Sequence, residues 1–261
     1  MTELVGYVKD GPIVTLTLNR PEKLNAFSDE LVIALGDRLR QFDTDQGAHI
    51  AVIHGEGRAF SSGADVQQRQ LRSREEFERL GGPQGHGANS GDLFVNSVNW
   101  KPVITAVHGY VLGLATGIML ESDLIVAESG TQIQITETSR GLGGSKYWGL
   151  MQFRGAAAFG TEMALTGRFF SAEEAFEAGI INRIAEPGKH LEVALELAEE
   201  VCRNPPLSVR ATVRTRRWYL SQLSHEIGMM TQPLKLYLTD DFHEAASAFA
   251  QKRTPGPFKG R

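Results

Sequence analysis

The chain has 261 residues, 41% of them hydrophobic and 22% charged, with a formal net charge of −4 at pH 7. These values are typical of a globular protein with one large domain or two small ones. Nucleic acid is not expected as a partner, because the chain has no excess of basic residues to neutralise phosphates. The single cysteine, Cys202, excludes an intramolecular disulfide framework and a cysteine-rich metal site. The sequence shows neither a signal-peptide pattern nor an apolar run long enough to cross a bilayer, which predicts a cytoplasmic protein without membrane contacts.

Alternating or β-branched segments predict a series of strands in the first two thirds of the chain. These segments are residues 13–18, 50–53, 103–107, 124–127 and 132–135. Ser28 is placed to cap a helix whose first turn contains Asp29 and Glu30, where the helix dipole favours acidic groups. Ser171 and Glu174 have the spacing of a capping box for a later helix. Strands and helices therefore alternate to about residue 186, which predicts an α/β core.

The last third of the chain has a helical pattern from about residue 189 onward. Pro205 and Pro206 separate two of the predicted helices, since proline cannot continue the preceding one. Residues 81–91 are rich in glycine and predict a mobile loop. No segment has the composition of a flexible linker between domains.

Two glycine-containing segments suggest a site for a carbonyl group. Residues 57–66 read GRAFSSGADV, and residues 101–117 read KPVITAVHGYVLGLATG. In each segment, apolar residues lead to a glycine, and a helix-compatible stretch begins after it. A helix start leaves backbone N–H groups without intrahelical partners, and glycine allows another molecule to approach the backbone closely. Two such N–H groups aimed at one point would form an oxyanion hole, suited to an enzyme that builds negative charge on a carbonyl oxygen.

Five blocks in order, within about residues 5 to 186, resemble the signatures of the crotonase superfamily, also called the enoyl-CoA hydratase/isomerase family. They are LNRPEKLNAF at 18–27, the two segments above, Glu137 with Gly141 and Leu142, and ALTGRFFSAEEAFEAGIINR at 164–183. The resemblance implies a spiral of ββα units over residues 1–188. It also implies a helical C-terminal region over residues 189–261, which packs over the active site and builds trimers or hexamers. The implied substrate is an acyl-CoA thioester, with coenzyme A as part of the substrate and no other cofactor or metal.

The resemblance assigns the two oxyanion-hole donors to the peptide N–H groups of Ala64 and Leu114. Relatives usually have glycine at position 114, so the leucine side chain would narrow or reshape the pocket. Glu137 corresponds to a glutamate that faces the α-carbon of the thioester, where desolvation moves its pKa toward the working pH. Judged without the resemblance, Gly63 and Gly113 would be tight-turn glycines, and Glu137 a solvated residue at the end of a strand.

Gly117 departs from the pattern of hydratases, which usually carry a second glutamate at this position. Two carboxylates together hold and activate a water molecule, whereas family members with one carboxylate commonly move a double bond, although single-glutamate hydration also occurs. Glu121 lies one helical turn further on the same face. A turn is about 5.4 Å, so we favour a buried or paired acid at Glu121 over a replacement for the missing group.

Contacts to coenzyme A follow from the same resemblance. Lys23, Leu24 and Ala26 match the segment that runs along the pantetheine and the nucleotide. Phe249 and Lys252 resemble a pair that reaches a neighbouring subunit's ligand. The full set of predicted substrate-binding residues is Lys23, Leu24, Ala26, Ala64, Asp65, Val66, Gly113, Leu114, Gly117, Phe249 and Lys252.

Four further residues are expected to have a structural role, or either a structural or a substrate-binding role. We expect Asp65 to fix its loop by hydrogen bonds and His108 to be structural. Tyr147 and Trp148, expected in a loop, either line the acyl pocket or pack as core aromatics.

The predicted function is hydration or double-bond isomerisation of an enoyl-CoA through a thioester enolate, held by two backbone N–H groups and one glutamate. Because position 117 lacks the second carboxylate, the sequence favours isomerisation over hydration. The alternatives are CoA-ester hydrolysis, carbon–carbon bond cleavage, or a non-catalytic acyl-CoA-binding protein that kept the fold.

Overall fold

The computed structural model describes residues 3–83 and 90–261, and within them nine strands form two sheets. The six-stranded sheet has, in order, β1 (Val5–Asp10), β2 (Ile13–Leu18), β3 (Ile50–Gly55), β4 (Val103–Val107), β6 (Leu124–Glu128) and β9 (Arg183–Ala185). The three-stranded sheet has β5 (Tyr110–Leu112), β7 (Gln132–Gln134) and β8 (Phe169–Ser171). The β1–β2 and β7–β8 pairs are antiparallel and the other pairs are parallel.

Helices follow the strands in a repeating pattern. They are α1 (Asp29–Thr44), α2 (Val66–Arg69), α3 (Arg74–Leu80), α4 (Leu114–Glu121), α5 (Thr136–Ser139), α6 (Ser145–Phe153), α7 (Ala157–Thr166), α8 (Ala172–Glu177), α9 (His190–Cys202), α10 (Pro206–Thr231) and α11 (Asp240–Ala250). One turn consists of β4, β5 and α4, and the next of β6, β7 and α5, with one strand in each sheet. This order confirms the predicted α/β class and the spiral of ββα units.

The five predicted strands are all present, and both predicted helix caps form. The Ser28 hydroxyl accepts a hydrogen bond from the Leu31 N–H at 3.2 Å. Ser171 and Glu174 form a reciprocal capping box at the start of α8. The prediction of a loop around Tyr147 and Trp148 is wrong, because both residues lie on α6.

The main core joins strands of both sheets with helices α1, α4, α6 and α7, and a smaller core joins the larger sheet with α9. β3 is buried on both faces: Ala51 and Ile53 belong to the main core, while Ile50 and Val52 face the smaller one. A strand buried on both faces reads as a continuous apolar run, which is why this strand could be predicted.

The helix α9 closes the smaller core by packing Ala194, Leu197 and Ala198 against the sheet. The first helix after residue 188 thus shares a core with the strands of the larger sheet, and the division at residue 188 stays a prediction. Helix α10 begins at Pro206, as the two prolines predicted. Within residues 3–83 and 90–261, no helix is both long and apolar enough to span a bilayer.

Candidate active site

Parallel backbone pairing brings the two glycine-containing segments together. Ser61 forms a parallel bridge with Val111, and its carbonyl oxygen accepts a hydrogen bond from the Leu112 N–H at 3.1 Å. Three residues further along, the paired segments reach Ala64 and Leu114. Each position lies at a helix start, since Leu114 is the first residue of α4 and Ala64 precedes the cap of α2 by one residue.

Gly63 and Gly113 are required by this close approach. Gly63 has φ +88°, and a Cβ added there would overlap the Leu112 carbonyl oxygen and lie 3.5 Å from the Leu114 nitrogen. Gly113 has φ +51°, and its Cβ would overlap the Thr136 hydroxyl oxygen. Side chains at either position would therefore separate the two segments or strain the backbone.

The N–H groups of Ala64 and Leu114 donate no hydrogen bond within residues 3–83 and 90–261. For Leu114 the reason is general, because the first N–H groups of a helix have no intrahelical acceptor. Unsatisfied N–H groups at a helix start attract negative charge. The two residues line the same cavities, so a ligand oxygen bound there has two backbone donors within one small region.

Glu137 lies beside these donors because β7 ends there. The Gly113 N–H donates to the Gln134 carbonyl oxygen at 2.9 Å, which fastens the end of β7 to the start of α4. A Cβ on Gly113 would lie 3.2 Å from Oε1 of Glu137. Burial raises the pKa of Glu137 above its ordinary value, and a hydrogen bond from Tyr147 opposes that rise. The carboxyl group is therefore suited to exchanging protons at a pH closer to neutrality.

Two adjoining cavities share Ala64, Gln70, Leu114 and Glu137 in their walls. The larger, which we call the outer cavity, has a volume of about 1080 Å³. The predicted substrate-binding residues in its wall are Lys23, Leu24, Ala26, Ala64, Asp65, Val66, Leu114, Phe249 and Lys252. Of the predicted set, Gly113 and Gly117 do not line it; Gly113 supports the wall from behind, next to Thr136 and Glu137.

The smaller cavity, which we call the inner chamber, has a volume of about 220 Å³. Beyond the shared residues, its wall contains Arg69, Pro83, Ser90, Gly91, Leu142, Lys146 and Tyr147. Residues 84–89 of the predicted mobile loop lie outside the described residues. Tyr147 lines the inner chamber and also belongs to the main core. The sequence left open whether it lines the acyl pocket or packs as a core aromatic, and it does both if the chamber holds the acyl group.

Arg20 holds the loop at the mouth of the outer cavity. Its guanidinium donates to Oδ2 of Asp65 at 2.8 Å and to the Ala26 carbonyl oxygen at 2.9 Å. Asp65 also caps α2 by accepting from the Gln68 N–H. These bonds tie two of the predicted CoA-contact segments to each other. Arg20 was overlooked in the sequence, although it stands in the first family block.

Phe249 and Lys252 lie in the wall of this chain's outer cavity. Their contact with a neighbouring subunit's ligand stays a prediction. The guanidinium carbon of Arg140 lies 3.4 Å from the centroid of the Phe249 ring. This cation–π contact fastens α11 to the end of α5 beside Glu137. Arg140 carries no signal in the sequence, because its partner reaches it only when α11 folds across the cavity.

Gly117 and Glu121 both lie on α4, but neither lines the outer cavity or the inner chamber. Gly117 faces the ring of Tyr147. Glu121 is buried and forms an ion pair with Lys146, a residue of the chamber wall. The paired acid favoured from the sequence is the arrangement that the structure shows.

The histidines near the strand ends make structural hydrogen bonds. Nε2 of His108 is 2.9 Å from the Gly57 carbonyl oxygen, and Nε2 of His54 is 2.9 Å from the Thr17 hydroxyl. Burial lowers the pKa of His54 to about 4, so this ring is neutral near pH 7. Neither histidine lines the two cavities.

Comparison with known proteins identifies the family. A family model described as enoyl-CoA hydratase/isomerase matches residues 9–261. The chain is 31% identical to a 2,3-dehydroadipyl-CoA hydratase of Escherichia coli and 32% identical to a carnitinyl-CoA dehydratase of Salmonella typhi, with all of both chains covered in each case. A solved enoyl-CoA hydratase of Mycobacterium tuberculosis has 32% identity and a TM-score of 0.70 over the full length of both chains. This protein is therefore a member of the enoyl-CoA hydratase/isomerase family.

Proposed function

We propose that the protein converts an acyl-CoA thioester through an enolate held at the junction of the two cavities. The N–H groups of Ala64 and Leu114 bind the thioester oxygen, and Glu137 moves the proton. The observation that carries this proposal is the position of a buried carboxyl group beside two backbone donors that are left free within the described part of the chain.

The outer cavity has the size and charge for the coenzyme A part of the substrate. Lys23, Arg140 and Lys252 in its wall supply positive charge for the phosphates. The thioester then reaches Ala64 and Leu114, and the acyl group enters the inner chamber. In this arrangement coenzyme A belongs to the substrate, and the proposed chemistry requires neither a metal nor a redox cofactor.

Electrostatic stabilisation by the two donors is at least comparable in size to the contribution of the base. Loss of one oxyanion-hole donor typically reduces a rate by about 10²–10³, and general acid–base catalysis typically contributes about 10²–10⁴. Both donors are main-chain groups, so most side-chain replacements leave them in place. Burial of Glu137 adds to its effect, since the pKa of its carboxyl lies above the ordinary value.

We propose enoyl-CoA hydration or double-bond isomerisation as the reaction. The names of the two relatives favour addition or removal of water. The absence of a carboxylate at Gly117 favours isomerisation, because a lone Glu137 suits a proton shift between two carbons of the acyl group. Glu121 does not supply the missing carboxylate, because it is paired with Lys146 and does not line the inner chamber. This also favours isomerisation.

The test is to offer the purified enzyme 2-enoyl-CoA and 3-enoyl-CoA esters of several acyl groups and to follow the products by mass. Interconversion of the two esters supports isomerisation, and a gain of one water from the 2-enoyl ester supports hydration. Glu137→Gln should abolish either activity. Glu121→Gln is the matched control, a buried acid on the adjacent helix, and should retain it.

A non-catalytic acyl-CoA-binding protein is the second candidate, favoured by Gly117. It predicts that the parent protein binds CoA esters without converting them and that Glu137→Gln leaves the affinity unchanged. Thioester hydrolysis or carbon–carbon cleavage would appear in the same mass assay as free coenzyme A or a shortened acyl group.

We also propose a homotrimer or hexamer, as the resemblance implied, and a cytoplasmic location, as expected from the lack of a signal-peptide pattern. Helix α10 exposes Trp218, Tyr219, Met229 and Met230, which is apolar surface suited to burial between subunits. Light scattering on the purified protein gives the assembly state, and cell fractionation gives the location. A monomer at micromolar concentration contradicts the assembly.

A further inference from the structure

The space beside Gly117 is filled by the ring of Tyr147. A Cβ placed on Gly117 would lie 3.2 Å from Cε1 of Tyr147 and 3.6 Å from its hydroxyl oxygen. The first distance is tight and the second is an ordinary van der Waals contact, so a side chain at 117 would require the ring to shift. The ring is buried, with 7% of the residue exposed. Glycine at 117 therefore has a positive role, which is to make room for an aromatic side chain from α6.

The hydroxyl group of the same ring reaches the candidate base. It donates a hydrogen bond to Oε1 of Glu137 at 2.5 Å. The other carboxylate oxygen, Oε2, has a longer contact of 3.5 Å with the Thr136 hydroxyl. The Tyr147 bond thus holds Oε1 and leaves Oε2, which has only the longer contact, as the oxygen better able to exchange a proton. Tyr147 and Glu137 together line the inner chamber, where the acyl group is proposed to lie.

We infer that Tyr147 is a positioning residue for Glu137, and that Gly117 and Tyr147 form a matched pair which replaces a second carboxylate by a phenol. This inference rests on the proposed function for its effect on turnover, but the hydrogen-bonded pair itself does not. The phenol stabilises the ionised carboxylate, because it donates to the charged form. It also holds the carboxylate in one orientation before the substrate arrives.

Tyr147 stays protonated throughout. Burial, together with the neighbouring Glu137 carboxylate, raises the pKa of Tyr147 well above its ordinary value. The phenol therefore acts as a fixed donor rather than as a second acid in the working pH range. The site then has one mobile proton, carried by Glu137, in place of the two that a pair of carboxylates would share.

Other charged groups near the pair come from each adjacent element. Lys146 precedes Tyr147 on α6, Arg140 follows α5, and Glu121 lies on α4; electrostatic interactions connect them to Glu137 or to Tyr147. Replacement of Tyr147 by phenylalanine changes none of these charges. A change in the titration of Glu137 in that variant consequently reports the lost hydroxyl group.

The test compares Tyr147→Phe with the parent protein in the absence of substrate. Infrared difference spectroscopy across a pH titration follows the carboxylic-acid C=O band of Glu137, which Glu137→Gln identifies by its loss. We expect the midpoint to rise by about one to two pH units, the shift for one hydrogen bond lost from a charged group. Tyr7→Phe is the matched control: it removes a phenol beside the Asp45 carboxylate, outside the walls of both cavities, and should leave the midpoint unchanged.

Turnover supplies the second readout. In Tyr147→Phe, the acid limb of the kcat/KM profile, which reports the free enzyme, should move to higher pH by the same amount. The value of kcat near neutral pH should fall by about tenfold or more, with KM changing less. An unchanged midpoint in a folded variant overturns the inference. A shifted midpoint with no acyl-CoA turnover in the parent supports the pair and overturns the proposed function instead.

Gly117→Ala provides an independent check on the matched pair. The added methyl group should push the ring away and weaken its bond to Glu137, so kcat should fall in the same direction as in Tyr147→Phe. The double variant Gly117→Ala/Tyr147→Phe should lose less transition-state stabilisation, calculated from kcat, than the sum of the losses in the two single variants. The reason is that both substitutions act on one hydrogen bond. Fully additive losses would contradict the pairing.

Discussion

Proline at position 114 should remove one oxyanion-hole donor at little cost to the fold. Leu114 is the first residue of α4, a position where proline is common because its missing N–H has no intrahelical role. The Leu114 N–H donates no hydrogen bond within the described ranges, so its removal breaks none there. The proline ring would also project from the nitrogen toward the space proposed for the thioester oxygen.

The expected loss in kcat is about 10²–10³, or about 3–4 kcal/mol of transition-state stabilisation. Leu114→Ala is the matched control, because it loses the leucine side chain but keeps the N–H. Both variants are assayed for kcat and KM with the CoA ester that the parent turns over best, and circular dichroism establishes that they fold. A folded Leu114→Pro variant within threefold of Leu114→Ala would refute the role of this donor.

The remaining predictions concern the base, a buried ion pair and a strained glycine. Because Glu137 must be ionised to accept a proton and its pKa is raised, kcat/KM should fall as the pH is lowered through that value; a flat pH–rate profile contradicts this. Asp123, whose side chain is 6% exposed, pairs with Arg216 at 3.1 Å and Arg217 at 2.6 Å. Asp123→Ala should lower the free energy of unfolding by about 3 kcal/mol, which a urea titration measures; an unchanged midpoint contradicts it. Gly63→Ala should lower both stability, by about 1–3 kcal/mol, and activity, so a variant with parental Tm and turnover contradicts the close approach.

The pattern of apolar residues in the sequence was sufficient to predict the buried strands, but not the edge strand or the shortest strands. β3 is apolar on both faces and was predicted from that run alone. β1 contains a glycine, a lysine and an aspartate on an exposed edge, so its alternation is weak. β5, β8 and β9 have three residues each and depend on pairing with distant strands. Helix α6 was missed because Gly144 precedes it without a capping side chain.

The candidate site divides in the same way. Ala64, Leu114 and Glu137 could be named from the sequence, because each stands in a block that resembles the family. The bond between Tyr147 and Glu137 could not, since it depends on how α6 packs against α4. A tyrosine gives no sign in the sequence of which carboxylate it will face.

The register of one short parallel pairing links the fold to the proposed chemistry. Because Ser61 pairs with Val111, the chain reaches Ala64 and Leu114 at the same level, and β7 ends beside them. A shift of one residue would turn the N–H groups of one segment away from the other, as it does along any strand. Glycine at 63 and 113 allows this close approach, which a side chain at either position would prevent, and the buried strands hold the register. The positions of the two proposed donors are thus set by backbone pairing, so in the proposed mechanism the surrounding side chains can vary with the acyl group without moving the donors.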